Sequence, residues 1–252
     1  MLPVGDRPVV DYVVEECAKA GIKDIYIVTN DLPVEQSQIQ LYYGKNIALE
    51  EFLLARGWDD KISQLETVPS DVNIHFALQS LHHYGTAMPV AVVAEQFGVD
   101  EPIVFCNGDD FFWGTPSGSE VKTLLDAMQS DDDAVVVGVE KTREEIAGRY
   151  GMLEVADGLL TAMVEKPPLE LVTSTLTNVN RFVLSRELMR QIVQYTKDND
   201  FGPRDQEYMI TDPIQAFVAG GGVMRVVRAE GQFMDCGNLP GWLRANRIVC
   251  GE

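Results

Sequence analysis

Positive charge is what this chain has least of. Its 252 residues carry 20 Lys plus Arg against 39 Asp plus Glu, a formal charge of −19. A surface so acidic is unsuited to a phosphate backbone or an anionic membrane, which excludes nucleic-acid polymers and lipid surfaces as partners. A small anionic ligand stays possible, because a few cations and backbone N–H groups can make a locally positive pocket. Cysteine is also sparse. Cys17, Cys106, Cys236 and Cys250 show no Cys-x-x-Cys spacing, and read as reduced, mostly buried thiols of a cytoplasmic protein. The three histidines, His75, His82 and His83, lack metal-triad spacing; His82-His83 reads as a solvated loop pair. No apolar run is long enough for a membrane span, the longest being broken by Gly138 and Glu140. The first residues, with Asp6 and Arg7, contain no apolar signal core. Neither a Walker-type phosphate loop nor a dinucleotide or serine-hydrolase fingerprint is present. There is no internal repeat and no low-complexity linker.

Hydrophobic residues, by contrast, make up 46% of the chain, ample for a packed α/β domain of this length. Asp6-Arg7-Pro8 leads into Val9, Val10, Val13, Val14 and Cys17, a capped amphipathic helix closed at Gly21. Strands are expected at Ile25–Val28, Ile74–Leu78, Ile103–Cys106 and Ala134–Val139. Helical spacing lies between them: 35–58 with a break at Gly44, 87–97, and 121–128. This alternation predicts a mostly parallel central sheet flanked by helices. After Tyr150 the rhythm changes. A hairpin turns at Asp157-Gly158, a strand covers 178–184, and helices are expected at 185–195, 208–218 and 240–249, with a strand at 223–227. One domain results, with a nucleotide-fold-like half (1–149) and a second half (150–252) that adds a smaller mixed β lobe.

Three places carry candidate chemistry. Asp109-Asp110 follows a buried strand, where ligands gather in open α/β sheets and where Mg²⁺ finds hard oxygen donors; an ordinary strand-end turn explains it equally well. Asp235 precedes Gly237 and reads as a second such carboxylate or as a plain strand end. Glu165-Lys166-Pro167-Pro168 ends a hairpin strand. Its carboxylate suits sugar hydroxyls and its ammonium a phosphate, unless the pair is merely solvated. Asp131-Asp132-Asp133 reads as a solvated turn.

Taken together, Met1-Leu2-Pro3-Val4-Gly5-Asp6-Arg7-Pro8, Asn107-Gly108-Asp109-Asp110, Tyr150-Gly151-Met152, Glu165-Lys166-Pro167 and Asp235-Cys236-Gly237 resemble, in this order, the sugar-1-phosphate nucleotidyltransferases, most of all bacterial UTP–glucose-1-phosphate uridylyltransferases. Tyr43-Gly44-Lys45-Asn46 with Leu49-Glu50, the stretch 207–212, and Gly241-Trp242-Leu243-Arg244-Ala245-Asn246 extend the match to nearly the whole chain. The resemblance implies a nucleotide-diphospho-sugar transferase fold that makes UDP-glucose and pyrophosphate from UTP and glucose 1-phosphate, with homo-oligomers common. It implies that Asp109 and Asp235 hold Mg²⁺, that Lys166 binds the sugar phosphate and Glu165 the sugar hydroxyls, that Gly151 passes beside the hexose, that Gln79 reads uracil, and that Gly85 allows close approach of the base.

Two departures are visible. The family places a strand, a glycine-rich loop with Thr-Arg, and Pro-Lys-Glu ahead of Met-Leu-Pro-Val. Here that Met is residue 1, which leads us to expect a truncated, impaired and loosely packed chain lacking a central strand. The family's Gly-Leu-Gly-His-Ala is His83-Tyr84-Gly85-Thr86-Ala87 here, which loosens the expectation of uracil. A non-catalytic nucleotide-sugar binder and a thymidylyltransferase acting on a hexose 1-phosphate stay open as alternatives.

Overall fold

The structure, a computed structural model, describes residues 1–65, 68–80, 82–201 and 207–251. A short ribbon of β1 (Pro3–Val4) and β2 (Arg7–Pro8) opens the chain and leads into α1 (Val9–Lys19). Val9, Val13, Val14 and Cys17 recur at helical spacing and are buried on one face of α1. Gly21, at φ +89, turns the chain into β3 (Asp24–Asn30). Two short helices follow, α2 (Gln38–Tyr43), capped by the Ser37 side chain, and α3 (Ile47–Ala55), capped by Asn46. Then β4 (Asn73–Gln79) pairs with β3 in parallel over its whole length. Pro89 in the first turn and left-handed Gly98 just past the end define α4 (Met88–Phe97).

The chain continues through β5 (Ile103–Cys106), β6 (Asp110–Trp113), α5 (Glu120–Ala127), β7 (Ala134–Glu140) and the single turn α6 (Arg143–Ile146). The hairpin of β8 (Gly151–Ala156) and β9 (Leu159–Val164) turns through Asp157 and Gly158, both at positive φ, as a two-residue hairpin loop requires. After β10 (Leu176–Leu184) come α7 (Arg186–Asp198), α8 (Thr211–Ala219), β11 (Met224–Arg228), β12 (Gln232–Asp235) and α9 (Leu239–Cys250).

Six strands form the main sheet in the order β5-β10-β7-β11-β9-β8. β10 is antiparallel to both β5 and β7, and β11 is parallel to β7. So β5, β7 and β11 share one direction, with the expected parallel set interrupted by a strand from the second half. β5 and β7 of 1–149 alternate with β10 and β11 of 150–252, and the β8–β9 hairpin of 150–252 continues the same sheet. Val135, Val136 and Val137 of β7 are fully buried, which is why that strand reads as an unbroken apolar run. Among the described residues β3–β4 has no strand pairing to β5. No described helix is long and apolar enough to cross a membrane.

One strand was not anticipated and two local readings are corrected. Asp110–Trp113 forms β6, in which Phe111 is wholly buried and stacks on Tyr12 with ring centroids 4.3 Å apart. α8 begins at Thr211 rather than Tyr208. The Tyr208 amide donates to the Tyr84 carbonyl at 3.0 Å and its carbonyl accepts from Ala87 N–H at 2.9 Å, so its backbone is engaged outside the helix. Asp133 is buried and bonded to Arg225 Nε at 2.8 Å, so it anchors the turn before β7 instead of lying in solvent.

Candidate active site

β6 and β12 form an antiparallel ribbon in which Asp235 lies opposite Asp110. This pairing brings the residues flanking it together, and Cys236 N–H donates to the Asp109 carbonyl at 3.0 Å. Gly237 then sits between two carboxylates. A Cβ built on it would lie 2.8 Å from Asp109 Oδ2 and 3.4 Å from Asp235 Oδ1. Two acidic oxygens thus converge on one point that only glycine leaves open. Burial raises the Asp109 carboxyl above the ordinary carboxylate range, and the negative charge of Asp235 adds to the rise. Such a pair favours a proton or a cation between its members. Among the described residues no third His, Cys, Asp or Glu joins them into a larger metal-binding cluster. Two carboxylates with open neighbouring space fit Mg²⁺, which keeps waters and substrate phosphates for its other positions.

Asp110 does something else. It is buried with Arg181 and Glu16. Arg181, fully buried, sends Nη2 to Asp110 Oδ1 at 3.4 Å and to Glu16 Oε2 at 3.3 Å. Burial pushes the Asp110 carboxyl well up, and Arg181 pulls it partly back. The Asp-Asp doublet therefore splits, with Asp109 facing open space and Asp110 tied into the interior. Arg181 reaches inward because β10 is irregular between Asn178 and Phe182, with Asn180 at φ +52 and hydrogen-bonded to the Asn178 side chain.

Asp235 is held from two sides. Its Oδ2 accepts from the Tyr150 hydroxyl at 2.8 Å and from Asn238 Nδ2 at 3.0 Å. Burial, then the bond to Asp235, pushes the Tyr150 phenol up to about 12, which keeps it a donor. Tyr150 directly precedes Gly151, the first residue of β8, so the carboxylate pair is tied to the next corner. There Glu165 Oε2 accepts from Thr211 Oγ1 at 3.1 Å, and Glu165 Oε1 lies 3.7 Å from Lys166 Nζ. A Cβ on Gly151 would lie 3.2 Å from Glu165 Oε2. Lys166 holds φ +42, a left-handed value that costs a non-glycine residue about 1 kcal/mol or more and clusters at functional positions. Lys166→Gly should relax that backbone and raise Tm by a few degrees while removing the ammonium; an unchanged or lower Tm would show the strain to be absent.

Gln79 and Gly85 lie with Asp109 on the wall of one large cleft. Gln79 Nε2 donates to the His83 carbonyl at 2.9 Å. Gly85, at φ +132, makes its close approach to the chain itself: a Cβ there would lie 2.5 Å from Tyr208 N and O. This contact fixes the loop before α4, so the need for glycine is met without any ligand.

A protein-family model described as Nucleotidyl transferase matches residues 1–251. This chain belongs to the nucleotidyl transferase family. The UTP–glucose-1-phosphate uridylyltransferase of Bacillus subtilis (strain 168) is 29% identical over 220 residues, 85% of this chain and 71% of that protein. A UTP–glucose-1-phosphate uridylyltransferase of Streptococcus pyogenes is 30% identical over 197 residues, 75% of this chain but 62% of its own length. The chain likewise spans 62% of a second Bacillus subtilis relative, the uridylyltransferase YngB, at 28% identity. Among solved structures, UDP-glucose pyrophosphorylase from Acinetobacter baumannii superposes with a TM-score of 0.81 at 25% identity, covering 99% of this chain and 84% of that one.

Seen as a nucleotidyl transferase, the molecule also carries residues that sequence reasoning passed over. Lys141 Nζ lies 4.7 Å from the Tyr150 ring and 5.5 Å from that of Phe233, and Arg149 flanks the same tyrosine at 5.5 Å. Burial lowers the Lys141 pKa, opposed by the charges of Glu145 and Asp235. In a chain of −19 this is a local gathering of cations beside Asp235. The sequence signal was available, a lysine at the end of a buried strand, but its meaning depends on Tyr150 arriving from elsewhere.

Proposed function

We propose that this nucleotidyl transferase joins UTP and glucose 1-phosphate into UDP-glucose with release of pyrophosphate. The convergence of Asp109 and Asp235 on the open point beside Gly237, tied through Tyr150 to the Glu165–Lys166 corner, carries this reading. The names of the relatives and of the Acinetobacter enzyme support it. In the reaction a phosphate oxygen of glucose 1-phosphate forms a bond to the α-phosphorus of UTP, and the bond from that phosphorus to the bridging oxygen of pyrophosphate breaks. No covalent enzyme nucleophile is needed, so the protein's task is alignment and charge neutralisation.

Asp109 and Asp235 would hold Mg²⁺, which supplies neutralisation of the phosphate charge. Tyr150 and Asn238 orient Asp235 by donating to it. Lys166, its ammonium half-exposed, meets the sugar phosphate, and Glu165 accepts from hexose hydroxyls while Thr211 fixes its rotamer. Gly151 leaves the space in which the hexose passes. Gly151→Ala should therefore raise KM for glucose 1-phosphate about tenfold and leave KM for UTP nearly unchanged; equal changes in both would remove Gly151 from the sugar site. Gln79, with its Nε2 already given to His83, offers its carbonyl oxygen to the uracil edge.

The test is incubation of the chain with Mg²⁺, glucose 1-phosphate and either UTP or dTTP, reading pyrophosphate and nucleotide sugar. UDP-glucose formed faster than its thymidine counterpart supports the proposal. Faster turnover of dTTP moves the assignment to thymidylyl transfer. Tight UDP-glucose binding without pyrophosphate release would replace catalysis by binding.

A further inference from the structure

Two of the four cysteines meet at the buried Arg181. In the antiparallel pairing of β10 with β5, Arg181 lies directly opposite Cys106. Residues so paired put their side chains on the same face, with Cβ atoms about 5 Å apart. From there the Arg181 side chain crosses to α1, where its Nη2 lies 3.3 Å from Glu16 Oε2. Cys17 is the next residue of α1, buried on the face that carries Val13 and Val14. The two sulfurs therefore flank one guanidinium, and the Cys17 thiol donates a hydrogen bond to the Cys106 sulfur. Arg181 meets its two carboxylates with Nη2 alone. Its Nε and Nη1 are buried with no hydrogen-bond partner among the described residues, a cost that an adjacent anion relieves.

This arrangement gives the two thiols different roles. The bond from Cys17 lowers the Cys106 pKa, Arg181 lowers it further, and burial opposes both. The same hydrogen bond raises the Cys17 thiol well above its ordinary value, and burial adds to the rise. Thiolate character therefore gathers on Cys106, which is half-buried, while Cys17 keeps its proton. A thiolate beside a cation, with a second thiol in contact, is what a two-electron oxidant attacks and a disulfide then resolves. We propose that Cys17 and Cys106 form a reversible oxidation site, in which hydrogen peroxide converts the two thiols into a disulfide that joins α1 to the end of β5. The Cys106 sulfur attacks one peroxide oxygen. The S–O bond forms, the O–O bond breaks, and the departing hydroxide takes up the proton that Cys106 has released. The Cys17 sulfur then attacks the sulfenic sulfur. The S–S bond forms, the S–O bond breaks, and the second hydroxide leaves with the Cys17 proton. Two thiols lose two electrons in all, and one peroxide becomes two waters. The proposal does not rest on the nucleotidyl-transfer reading, and its test does not use activity.

The test treats the reduced chain with hydrogen peroxide and maps its cysteines by mass spectrometry without reduction. We expect a chain lighter by two hydrogen atoms, with the segments carrying Cys17 and Cys106 joined, Cys236 and Cys250 still thiols, and full reversal by dithiothreitol. Cys106 should react about tenfold faster than Cys250, although Cys250 is the exposed one. The cross-link closes a long loop, so the oxidised chain should melt about 5–10 °C above the reduced one. Cys17→Ser should halt at a Cys106 sulfenic acid that dimedone captures, and Cys106→Ser should leave Cys17 reduced. Cys250 oxidised first, a disulfide between two copies of the chain, or Cys106 driven to sulfinic acid with no link to Cys17 would each overturn the proposal. So would a link that forms only after unfolding in denaturant, or an oxidised chain that melts below the reduced one. These outcomes are read on the parent chain, so a variant that fails to fold does not affect them.

Discussion

Asp109→Asn should lower Mg²⁺-dependent turnover about a thousandfold, equivalent to about 4 kcal/mol of lost transition-state stabilisation. Asparagine keeps the shape but removes the charge, leaving Asp235 as the single carboxylate at the Gly237 gap. The metal-free protein should respond in the opposite sense. Folding raises the Asp109 pKa, by burial first and by Asp235 second. Between the unfolded and folded values the native state binds more protons, so the stability held by protonated Asp109 at low pH is lost as pH rises through its folded pKa. Metal-free Asp109→Asn should therefore melt above the metal-free parent at neutral pH, and the difference should vanish in acid. Mg²⁺ should stabilise the parent more as pH rises, since proton and metal compete for the same oxygens. Thermal melts with and without Mg²⁺ across pH 4 to 8, beside the pyrophosphate assay, check all three. Activity near the parent's, or a variant melt below the parent's at every pH, would remove Asp109 from the metal site.

Arg181→Met should unfold or severely destabilise the chain, by about 3–5 kcal/mol, because it strands Asp110 and Glu16 as buried carboxylates without their cation. Both acids are nearly inaccessible, and Arg181 is wholly so. Glu16 further accepts from Val121 N–H at 3.0 Å, so α1, α5, β6 and β10 all meet at this triad. The triple replacement Arg181→Met with Glu16→Gln and Asp110→Asn should recover most of the loss, since no buried charge is then left unpaired. Denaturant unfolding of the two variants decides the matter. A small loss on Arg181→Met alone would mean that water reaches the triad. Because Asp110 adjoins Asp109, the destabilised protein should also bind Mg²⁺ more weakly, whereas the triple variant should regain that binding.

Much of this molecule was legible in its residues. Apolar periodicity places α1, α4, α7 and α9 and the strands β3, β4, β5, β7 and β10 within a few residues, because burial on one helical face or through a strand leaves its pattern in local sequence. Asp157-Gly158 specifies its own turn, since both residues tolerate positive φ. The ordered motifs around Asp109, Gly151, Glu165 and Asp235 were enough for the family. Tertiary structure decided where each of those residues sits and what surrounds it. Asp109 and Asp110 are neighbours in sequence and opposites in space, a difference set by Arg181 from a strand 71 residues away. Gly85 spares room for Tyr208, and Tyr150 reaches Asp235 across 85 residues, neither of which any spacing rule encodes. The start of α8 was shifted by hydrogen bonds to the Tyr84–Ala87 loop, a long-range override of helical propensity. Local sequence determines which elements form because their energetics are largely local. The electrostatics of a site depend on which elements the fold brings within a few ångströms, and only the assembled sheet sets that.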